Sequence, residues 1–408
     1  MTFTSLHLLA GGGGDTRGFH DAGFTPLAGA NHEAVCVETL RANWPDADWR
    51  CADVDDMPMD NLPTTDVQVS SVICTELSQN GGRKRHRGQQ SLIPGENEAN
   101  ERRFARTRVT AYGVMRCAEI HRQKVVVVEN VPEFVLDWHL LDWWFQGWRL
   151  LGYRQPVIVC VDAAHVSGPD NPGSPSWRPR VVVVIVRDDV EMPDLELRPA
   201  AFCGSCRREV AARQVWNRVG QRAGDYRKQF HYYCPTPTCR ERVEPYTACA
   251  ADAFDLSNVG LPLRGREHEF AASTPVRLQA AVKYLGTGRV RRQRRAVTRE
   301  PVEGRYHAVI EWKNHADCCS IHEPLTTIAA QGNHHGLVTA PDGWRPGLPL
   351  DVRDLHLRTI TPREQARAMR FPSGHVMCGT GTQQTSLAGN AVPVNLGRWV
   401  AERVAAVL

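Results

Sequence analysis

The sequence contains no long apolar run and no export signal. None of its hydrophobic stretches approaches the roughly 18 residues that a membrane-spanning helix needs, and its first residues lack the charged region and apolar stretch of a secretory signal. It also contains no internal repeat and no long low-complexity tract. These absences argue against an integral membrane protein and against an exported one, so we expect the chain to act in the cytosol without a membrane partner.

The sequence also lacks the even number of cysteines that is typical of a disulfide framework. The chain has 13 cysteines, and an odd number in a long chain without a secretion signal favours reduced thiols, some of them metal-bound. The length and hydrophobic content suffice for a globular protein, because 408 residues of which 42% are hydrophobic can bury a large core. This length predicts two or three domains.

Residues 1–198 alternate short apolar runs with amphipathic stretches. Helical stretches separate the predicted apolar strands, which lie at 4–10, 25–31, 66–74, 124–131, 153–163 and 179–187. Such alternation is typical of a doubly wound α/β sheet that is buried on both faces. Ligands of these sheets bind beyond the carboxyl ends of the strands, so we expect the functional site there.

The pattern changes after residue 198, where two cysteine pairs appear. "FCGSCRREV" (202–210) and "HYYCPTPTCRERVEPY" (231–246) contain a C-x2-C and a C-x4-C pair. Paired knuckles of this kind predict a tetrahedral zinc site with the ligands Cys203, Cys206, Cys234 and Cys239. Ordinary buried cysteines or a disulfide pair are the alternatives. We expect residues 199–345 to form a smaller, irregular domain and 346–408 to return to the first domain.

Positive charge is concentrated in that second region. Residues 199–345 carry 22 Lys and Arg against 14 Asp and Glu, and they include the run "RVRRQRRAVTR" (289–299). Such a surface suits the phosphates of a nucleic acid. A solvated face or a mobile loop is the alternative.

Three motifs of the first region combine features that can carry chemistry. "LLAGGGGDTRG" (8–18) is a glycine-rich strand-to-helix turn whose backbone can approach a nucleotide-like ligand, or a purely structural turn. Asp53, in "ADVDD" (52–56), would end a short strand after the helical stretch at 32–44, where it can accept a hydrogen bond from an adenine amino group, or cap a helix. Glu129 follows four valines at the carboxyl end of a central strand, where a carboxylate needs a partner or a task.

The order of these motifs along the chain is more specific than any one of them. The glycine turn is followed by Cys74 after a strand, then "ENV" at 129–131, "SWRPR" at 176–180, the basic insert, "RTITPREQARAMRFP" at 358–372 and "GNAVPV" at 389–394. This series resembles the DNA cytosine methyltransferases that modify carbon 5, over nearly the whole chain. The resemblance implies a Rossmann-like, S-adenosylmethionine-dependent methyltransferase domain, with the insert as its zinc-bearing target-recognition domain.

The resemblance implies a set of cofactor contacts. The glycine turn is similar to the family's cofactor loop, with Leu9 where an aromatic residue usually packs on the adenine. The family usually has an acidic residue for the ribose hydroxyls where this chain has the weaker partner Asn31. The positions expected to bind S-adenosylmethionine are Leu9, Gly11, Gly13, Gly14, Asn31, Asp53 and Asn390.

The resemblance also assigns the catalytic groups, which are Cys74, Glu129, Arg178 and Arg180. Cys74 is the expected nucleophile, because thiolate adds readily to carbon 6 of cytosine and activates carbon 5. Glu129 is expected to hold a proton at ring nitrogen 3 and Arg178 to neutralise charge at the 2-oxygen. Val72 and Ile73 replace the usual two prolines before the nucleophile, Thr75 replaces the glutamine after it, and Ser176 replaces the glutamine of the arginine motif.

The expected partner is double-stranded DNA, from which the target base must be flipped out. The basic, glycine-containing loop "QNGGRKRHRGQQ" (79–90) is predicted to close on the DNA, with a disordered surface loop as the alternative. We expect a monomer. Three other functions remain open at this point: transfer of a modified group such as carboxymethyl, a catalytically inactive DNA-binding relative, and a tRNA substrate.

Overall fold

The computed structural model describes residues 2–73, 105–265, 274–289, 298–312, 318–332 and 334–408. Three predictions lie outside these ranges. They concern the nucleophile Cys74, the loop 79–90 and residues 290–297 of the arginine run.

A seven-stranded sheet forms the centre of the first region, with the strand order β3-β2-β1-β4-β5-β7-β6. Strand β7 is antiparallel to both of its neighbours, and the other pairings in the sheet are parallel. The predicted α/β fold is confirmed, with a mixed rather than purely parallel sheet. The strands are β1 (Thr4–Leu8), β2 (Thr25–Asn31), β3 (Asp48–Cys51), β4 (Val67–Ser71), β5 (Val125–Asn130), β6 (Val157–Asp162) and β7 (Pro179–Val186).

Helices cover both faces of this sheet, which is why its central strands are continuous apolar runs. All eight residues of β7 except the first are buried, as are all six of β5. The C-terminal helix α9 (Val394–Ala405) packs against α1 (Gly14–Asp21), and a Cβ at Gly18 would lie 2.4 Å from the backbone N of Arg398. The other helices here are α2 (Ala34–Asn43), α3 (Ala105–His121), α4 (Pro132–Asp137) and α5 (Leu141–Leu150).

Two small sheets follow the seven-stranded sheet and share its hydrophobic core. Val183 and Ile185 of β7, together with Trp148, belong to one cluster with Phe230 and Tyr232 of the small sheets. The short strands are β8 (Ala200–Cys203), β9 (Arg208–Ala211), β10 (Arg213–Trp216), β11 (Phe230–Tyr233) and β12 (Arg242–Val243). This part of the insert is therefore packed onto the first domain.

A five-stranded sheet forms a second body with cores on both of its faces. Helix α6 (Thr274–Thr287) covers one face, where Ala308 and Ile310 point, and Val309 points to the opposite face. The order is β13-β17-β16-β14-β15, so β17, at residues 356–359, pairs with β16. The strands are β13 (Leu261–Pro262), β14 (His307–Glu311), β15 (Cys318–Ser320), β16 (His335–Thr339) and β17 (His356–Thr359).

The chain then returns to the first domain through α7 (Pro362–Ala368) and α8 (Gly381–Asn390). Threonines begin both helices with a capping box, in which the threonine side chain and a residue of the first turn bond each other's backbone N–H. Among the described helices, none is long and apolar enough to cross a membrane.

Candidate active site

The glycine turn between β1 and α1 is held in a conformation that favours glycine. Gly11 has φ +52° and Gly13 has φ +81°, and Leu9 also has a positive φ of +60°. The Leu9 backbone N donates to the Ala30 carbonyl at 2.8 Å, and the Gly13 N donates to the Ala10 carbonyl at 2.9 Å. These bonds fix the turn at the carboxyl end of β1, where the sequence predicted a ligand site.

The segment from α8 to α9 lies against the same turn and leaves one side of it open. A Cβ at Gly14 would lie 2.0 Å from the Val392 carbonyl oxygen, and one at Gly12 would lie 3.2 Å from that of Leu387. A Cβ at Gly11 would meet no atom of the described residues within 4 Å. The open side at Gly11 fits a nucleotide-like ligand, and only glycine allows the close approach at Gly14.

The other predicted cofactor residues lie at neighbouring strand ends or on the covering segment. Asn31 ends β2, is 5% exposed, and its Oδ1 accepts a bond from the Glu33 N at 2.9 Å. Asp53 is exposed and follows β3, and its Oδ1 accepts from the Asp55 N at 3.3 Å. Asn390 is exposed at the end of α8. The structure thus brings Leu9, Asn31 and Asp53 to the ends of three adjacent strands.

Glu129 lies at the carboxyl end of β5 and is paired with an arginine. Its Oε1 lies 2.7 Å from the Nε of Arg180, and both side chains are nearly buried. Burial raises the pKa of the Glu129 carboxyl, and the positive charges of Arg180 and Arg178 oppose that rise. The carboxyl is therefore held by one guanidinium, while its burial favours the protonated form.

Side chains of two neighbouring elements hold the residues just before Cys74. The Asn130 side chain donates from Nδ2 to the Val72 carbonyl at 2.9 Å, and the Thr107 hydroxyl donates to the Ile73 carbonyl at 3.1 Å. Val72 is 2% exposed and belongs to the core. The chain entering Cys74 is thus anchored by hydrogen bonds, although two prolines are absent.

Arg178 and Arg180 occupy different places. Arg178 is 1% exposed, and its Nη1 donates to the Ile328 carbonyl at 3.0 Å. Its Nη2 donates to the carbonyls of Gly389 at 2.7 Å and Ala391 at 2.9 Å. Arg178 thus binds the segment between β15 and β16 and the segment at the end of α8, whereas Arg180 is the guanidinium paired with Glu129.

Asp15 is a site residue that the sequence reasoning did not single out. It is the second residue of α1 and only 2% exposed, and its Oδ2 lies 3.5 Å from the Ser71 hydroxyl at the end of β4. Burial, opposed by the bond from the Thr16 N–H, raises its pKa from 3.8 to about 7. A carboxylate directly after a glycine turn usually stabilises a helix N-terminus, so the sequence alone did not indicate its burial.

The four predicted zinc ligands come together. Their sulfur atoms all lie within 4.8 Å of one another, with Cys203 and Cys239 at 3.6 Å and Cys206 and Cys234 at 3.8 Å. A tetrahedron with Zn–S bonds of about 2.3 Å has sulfur atoms about 3.8 Å apart, whereas a disulfide needs about 2.0 Å. The arrangement fits a zinc ion and excludes a disulfide among these four residues.

The cysteine cluster is connected to the arginine motif through aromatic packing. Tyr232, on β11 beside Cys234, packs edge-on to His165 at a ring distance of 5.1 Å, and His165 contacts Trp177 at 5.5 Å. Trp177 directly precedes Arg178. Packed aromatic side chains therefore link the cysteine cluster to the residues leading into β7.

Comparison with known families decides the identity of this site. The profile of the family described as C-5 cytosine-specific DNA methylase matches residues 3–202 and 268–406. The chain belongs to this family. It is therefore a methyltransferase, and the family implies S-adenosylmethionine as its cofactor. No curated protein matches the sequence at a significant level.

Solved methylase structures share the fold at low sequence identity. Spodoptera frugiperda DNMT2 has a TM-score of 0.54 at 12% identity, with 98% of each chain covered. S. pombe Dnmt2 has a TM-score of 0.52 at 12% identity, covering 100% of this chain and 98% of that one. A putative DNA modification methyltransferase encoded within an Escherichia coli prophage has a TM-score of 0.50 at 13% identity, covering 100% and 99%. At such identities, the likeness establishes the fold.

Proposed function

We propose that this methylase transfers a methyl group to carbon 5 of cytosine in double-stranded DNA, with Cys74 as the nucleophile. The observation that carries the proposal is the buried Glu129–Arg180 pair at the end of β5. This pair lies beside β4, the strand that leads to Cys74, because Ser71 and Glu129 are register partners across the two strands. A nucleophile and a proton-holding carboxyl on adjacent strand ends suit addition to a pyrimidine ring.

The glycine turn and its neighbours would hold the cofactor. Leu9, Gly11, Gly13 and Gly14 would contact it, Asn31 and Asp53 would bind its polar groups, and Asn390 would close the pocket from α8. The open side at Gly11 supports this arrangement, since a Cβ there meets no atom within 4 Å in the part of the chain that the structure describes. S-adenosylmethionine supplies an electrophilic methyl group on its sulfonium.

Each protein group has a defined task in the proposed reaction. The Cys74 thiolate forms a bond to carbon 6, and the displaced electron pair makes carbon 5 nucleophilic. Glu129, whose pKa is raised by burial, would donate a proton to ring nitrogen 3 and limit negative charge on the ring. Arg180 orients Glu129. After transfer, loss of the carbon 5 proton and breaking of the sulfur–carbon bond return Cys74 as thiolate.

Arg178 has a structural role in this proposal. Its guanidinium bonds three carbonyls of described residues, on Ile328, Gly389 and Ala391, that belong to two other parts of the chain. We therefore assign it to aligning these parts around the cleft, and we assign the direct contact with Glu129 to Arg180. The role of Arg178 at the cytosine 2-oxygen, which the family resemblance implied, stays a prediction.

Duplex DNA is the proposed substrate because of the family and the charge distribution. Positive charge is concentrated in residues 199–345, and phosphate contacts from such a region would position the duplex. The target base must leave the helix to reach a cleft of this kind. The relative encoded in a prophage is described as a putative DNA modification enzyme, which is consistent with this substrate.

A structural zinc ion in the Cys203–Cys206–Cys234–Cys239 cluster completes the proposal. The sulfur separations and the shared core support a role in stability. This small module packs on the catalytic sheet, so we propose that zinc supports β7.

Covalent trapping tests the proposed function. A duplex containing 5-fluorodeoxycytidine, with S-adenosylmethionine, should form a stable adduct, because fluorine blocks the final elimination. Cys74→Ala should form none, and Cys51→Ala, which removes an exposed free thiol, should trap normally. The proposal fails if the wild type forms no adduct or if Cys74→Ala traps equally.

The same experiment separates the remaining alternatives. An adduct with tRNA containing 5-fluorocytidine, without one on the duplex, would replace the substrate class. Absence of both, with duplex binding retained, would indicate an inactive DNA-binding relative. Mass spectrometry of modified DNA distinguishes methyl from carboxymethyl, and bisulfite sequencing of DNA from expressing cells reports the recognition sequence.

A further inference from the structure

The small module formed by β8 to β12 contains a three-stranded sheet with one buried and one exposed face. Strand β11 lies in the middle and pairs with β10 on one side and with β12 on the other. Tyr232 and Val243 are register partners on the inner face, and both belong to the core that includes residues of β7. Because side chains alternate along a strand, the residues next to them point away from this core.

Two arginines and a tyrosine form a row across the outer face of this sheet. Tyr233 on β11 is the register partner of Arg213 on β10 and of Arg242 on β12. Register partners in antiparallel strands lie on the same face, and strands are about 4.8 Å apart, so the two arginine backbones are separated by about 10 Å. Both arginines are exposed, and Val215, which shares this face, is 41% exposed.

Most of the excess positive charge in the insert belongs to this module. Residues 199–247 contain nine Lys and Arg against four Asp and Glu, whereas residues 248–345 contain 13 against 10. All nine basic residues of the module are exposed. The positive surface is therefore carried chiefly by the part of the insert that packs on the catalytic sheet.

The acidic group beside the outer face does not balance its arginines. Glu244 pairs with Arg227 at 2.6 Å and lies 3.7 Å from the Arg242 guanidinium. Arg213 forms no ion pair among the described residues. Burial and the positive charges of Arg242 and Arg227, opposed by Glu244, lower the pKa of His231 on this face, so its imidazole is neutral at neutral pH. Three guanidinium groups thus face one carboxylate, which favours binding of an anion.

Aromatic contacts connect the outer face to the arginine motif of the active site. The ring of His231 lies 6.4 Å from that of Tyr226, which stacks on Trp177 at 6.2 Å. The guanidinium of Arg227 lies 5.8 Å from the centre of the Trp177 ring. Trp177 directly precedes Arg178 in the chain. The basic face therefore adjoins the segment that leads into the proposed catalytic cleft.

We propose that the outer face of β10, β11 and β12 binds the phosphate backbone of the substrate duplex through Arg213 and Arg242. A guanidinium can form two parallel hydrogen bonds with phosphate oxygens, and the Tyr233 hydroxyl between the arginines is a further donor. An acidic protein could also neutralise this charge, but the position beside the arginine motif favours the substrate. The proposal deepens the proposed function and rests on it for the identity of the nucleic acid.

The salt dependence of duplex binding tests this surface. Counterion release makes the logarithm of the association constant fall with the logarithm of the salt concentration by about 0.9 per phosphate contact. With a mixed-sequence duplex, Arg213→Gln and Arg242→Gln should each make this slope shallower by about 0.9 and weaken binding about three- to tenfold near 0.1 M salt. Arg149→Gln is the matched control, because Arg149 is an exposed arginine on α5.

Variants that keep the charge separate phosphate binding from loss of structure. Arg213→Lys and Arg242→Lys should retain most of the slope, since a lysine also binds phosphate. Because both positions are exposed, all of these variants should melt within a few degrees of the wild type. Phosphate contacts carry no base information, so the loss in the glutamine variants should be the same for duplexes of different sequence.

Two results would overturn the proposed surface. One is an unchanged slope in both glutamine variants, and the other is an equal change in Arg149→Gln. Adduct formation with the 5-fluorodeoxycytidine duplex reports the proposed function separately. A shallower slope in the glutamine variants without an adduct in the wild type would refute the proposed function and leave the surface established. An adduct together with an unchanged slope would refute the surface alone.

Discussion

Replacing Arg178 by methionine tests whether this residue holds the parts of the molecule together or contacts the substrate. Methionine has a similar reach and no hydrogen-bond donors. In the wild type, the bonds from Arg178 to described residues include those to the carbonyls of Ile328, Gly389 and Ala391, at 2.7 to 3.0 Å. The substitution therefore leaves three carbonyls of two segments without their donor.

The expected loss of stability is several kilocalories per mole. Hydrogen bonds from a charged donor contribute about 1.5–3 kcal/mol each. The contributions are not additive, and removing a buried charge relieves part of its desolvation cost. We therefore expect Arg178→Met to lower the free energy of unfolding by about 3–5 kcal/mol, a large part of the 5–15 kcal/mol that is typical of a folded protein.

Urea denaturation followed by tryptophan fluorescence measures this loss. Arg180→Lys is the matched comparison, because it keeps a positive charge beside Glu129 and lies two residues away. We expect Arg180→Lys to change stability by less than about 1 kcal/mol and to lower the rate of methyl transfer. Hydrogen exchange should increase in residues 325–330 and 387–392 of Arg178→Met only. If Arg178→Met cannot be purified folded, Arg178→Lys should show a smaller loss of the same kind.

The opposite pattern would refute this assignment. If Arg178→Met unfolds like the wild type but loses transfer activity, Arg178 contacts the reacting base. The role that the family resemblance implied would then be correct, and the structural role assigned from its three carbonyl partners would be wrong.

Three further changes have outcomes that the geometry predicts. Gly14→Ala places a Cβ 2.0 Å from the Val392 carbonyl oxygen, and urea denaturation should show a loss of stability several times the roughly 1 kcal/mol expected for Gly11→Ala, whose Cβ meets no described atom within 4 Å. Asp15→Asn should stabilise the protein above pH 7. Burial raises the pKa of Asp15 in the folded protein from 3.8 to about 7, so the wild type loses stability as the pH rises from 3.8 to about 7. At about 1.4 kcal/mol per pKa unit, the gain has a ceiling of about 4 kcal/mol, and it should vanish below pH 4 in thermal denaturation. Cys234→Ser should reduce bound zinc well below about one ion per chain in elemental analysis and lower the melting temperature, and equal zinc content in both proteins would contradict the tetrathiolate site.

Local patterns predicted the elements of the first domain because strand and helix periods are local properties. The alternation of apolar runs and helices indicated the α/β sheet, and the cysteine spacing indicated the cluster that the structure assembles. The antiparallel orientation of β7 was not predictable in this way, since both β6 and β7 are buried apolar runs. Strand direction depends on the connections between distant elements.

The different roles of the site residues could not be predicted from the sequence, because they also depend on contacts between distant elements. Arg178 and Arg180 are two residues apart in the sequence but have different partners. Arg178 bonds the Ile328 carbonyl, more than 100 residues away, whereas Arg180 pairs with Glu129 on the adjacent strand β5. Asp15 is buried because β4 and the C-terminal helix pack around α1. Such contacts are tertiary, so no periodicity in the sequence reports them.

Transfer of an isotope-labelled methyl group tests the central claim most directly. The zinc-loaded full chain would be incubated with duplex DNA and S-adenosylmethionine carrying a trideuterated methyl group, and the digested nucleosides would be analysed by mass spectrometry. The account predicts the label in 5-methyl-2′-deoxycytidine, and none with Cys74→Ala. Label at another position or nucleoside, or equal labelling by Cys74→Ala, would contradict it.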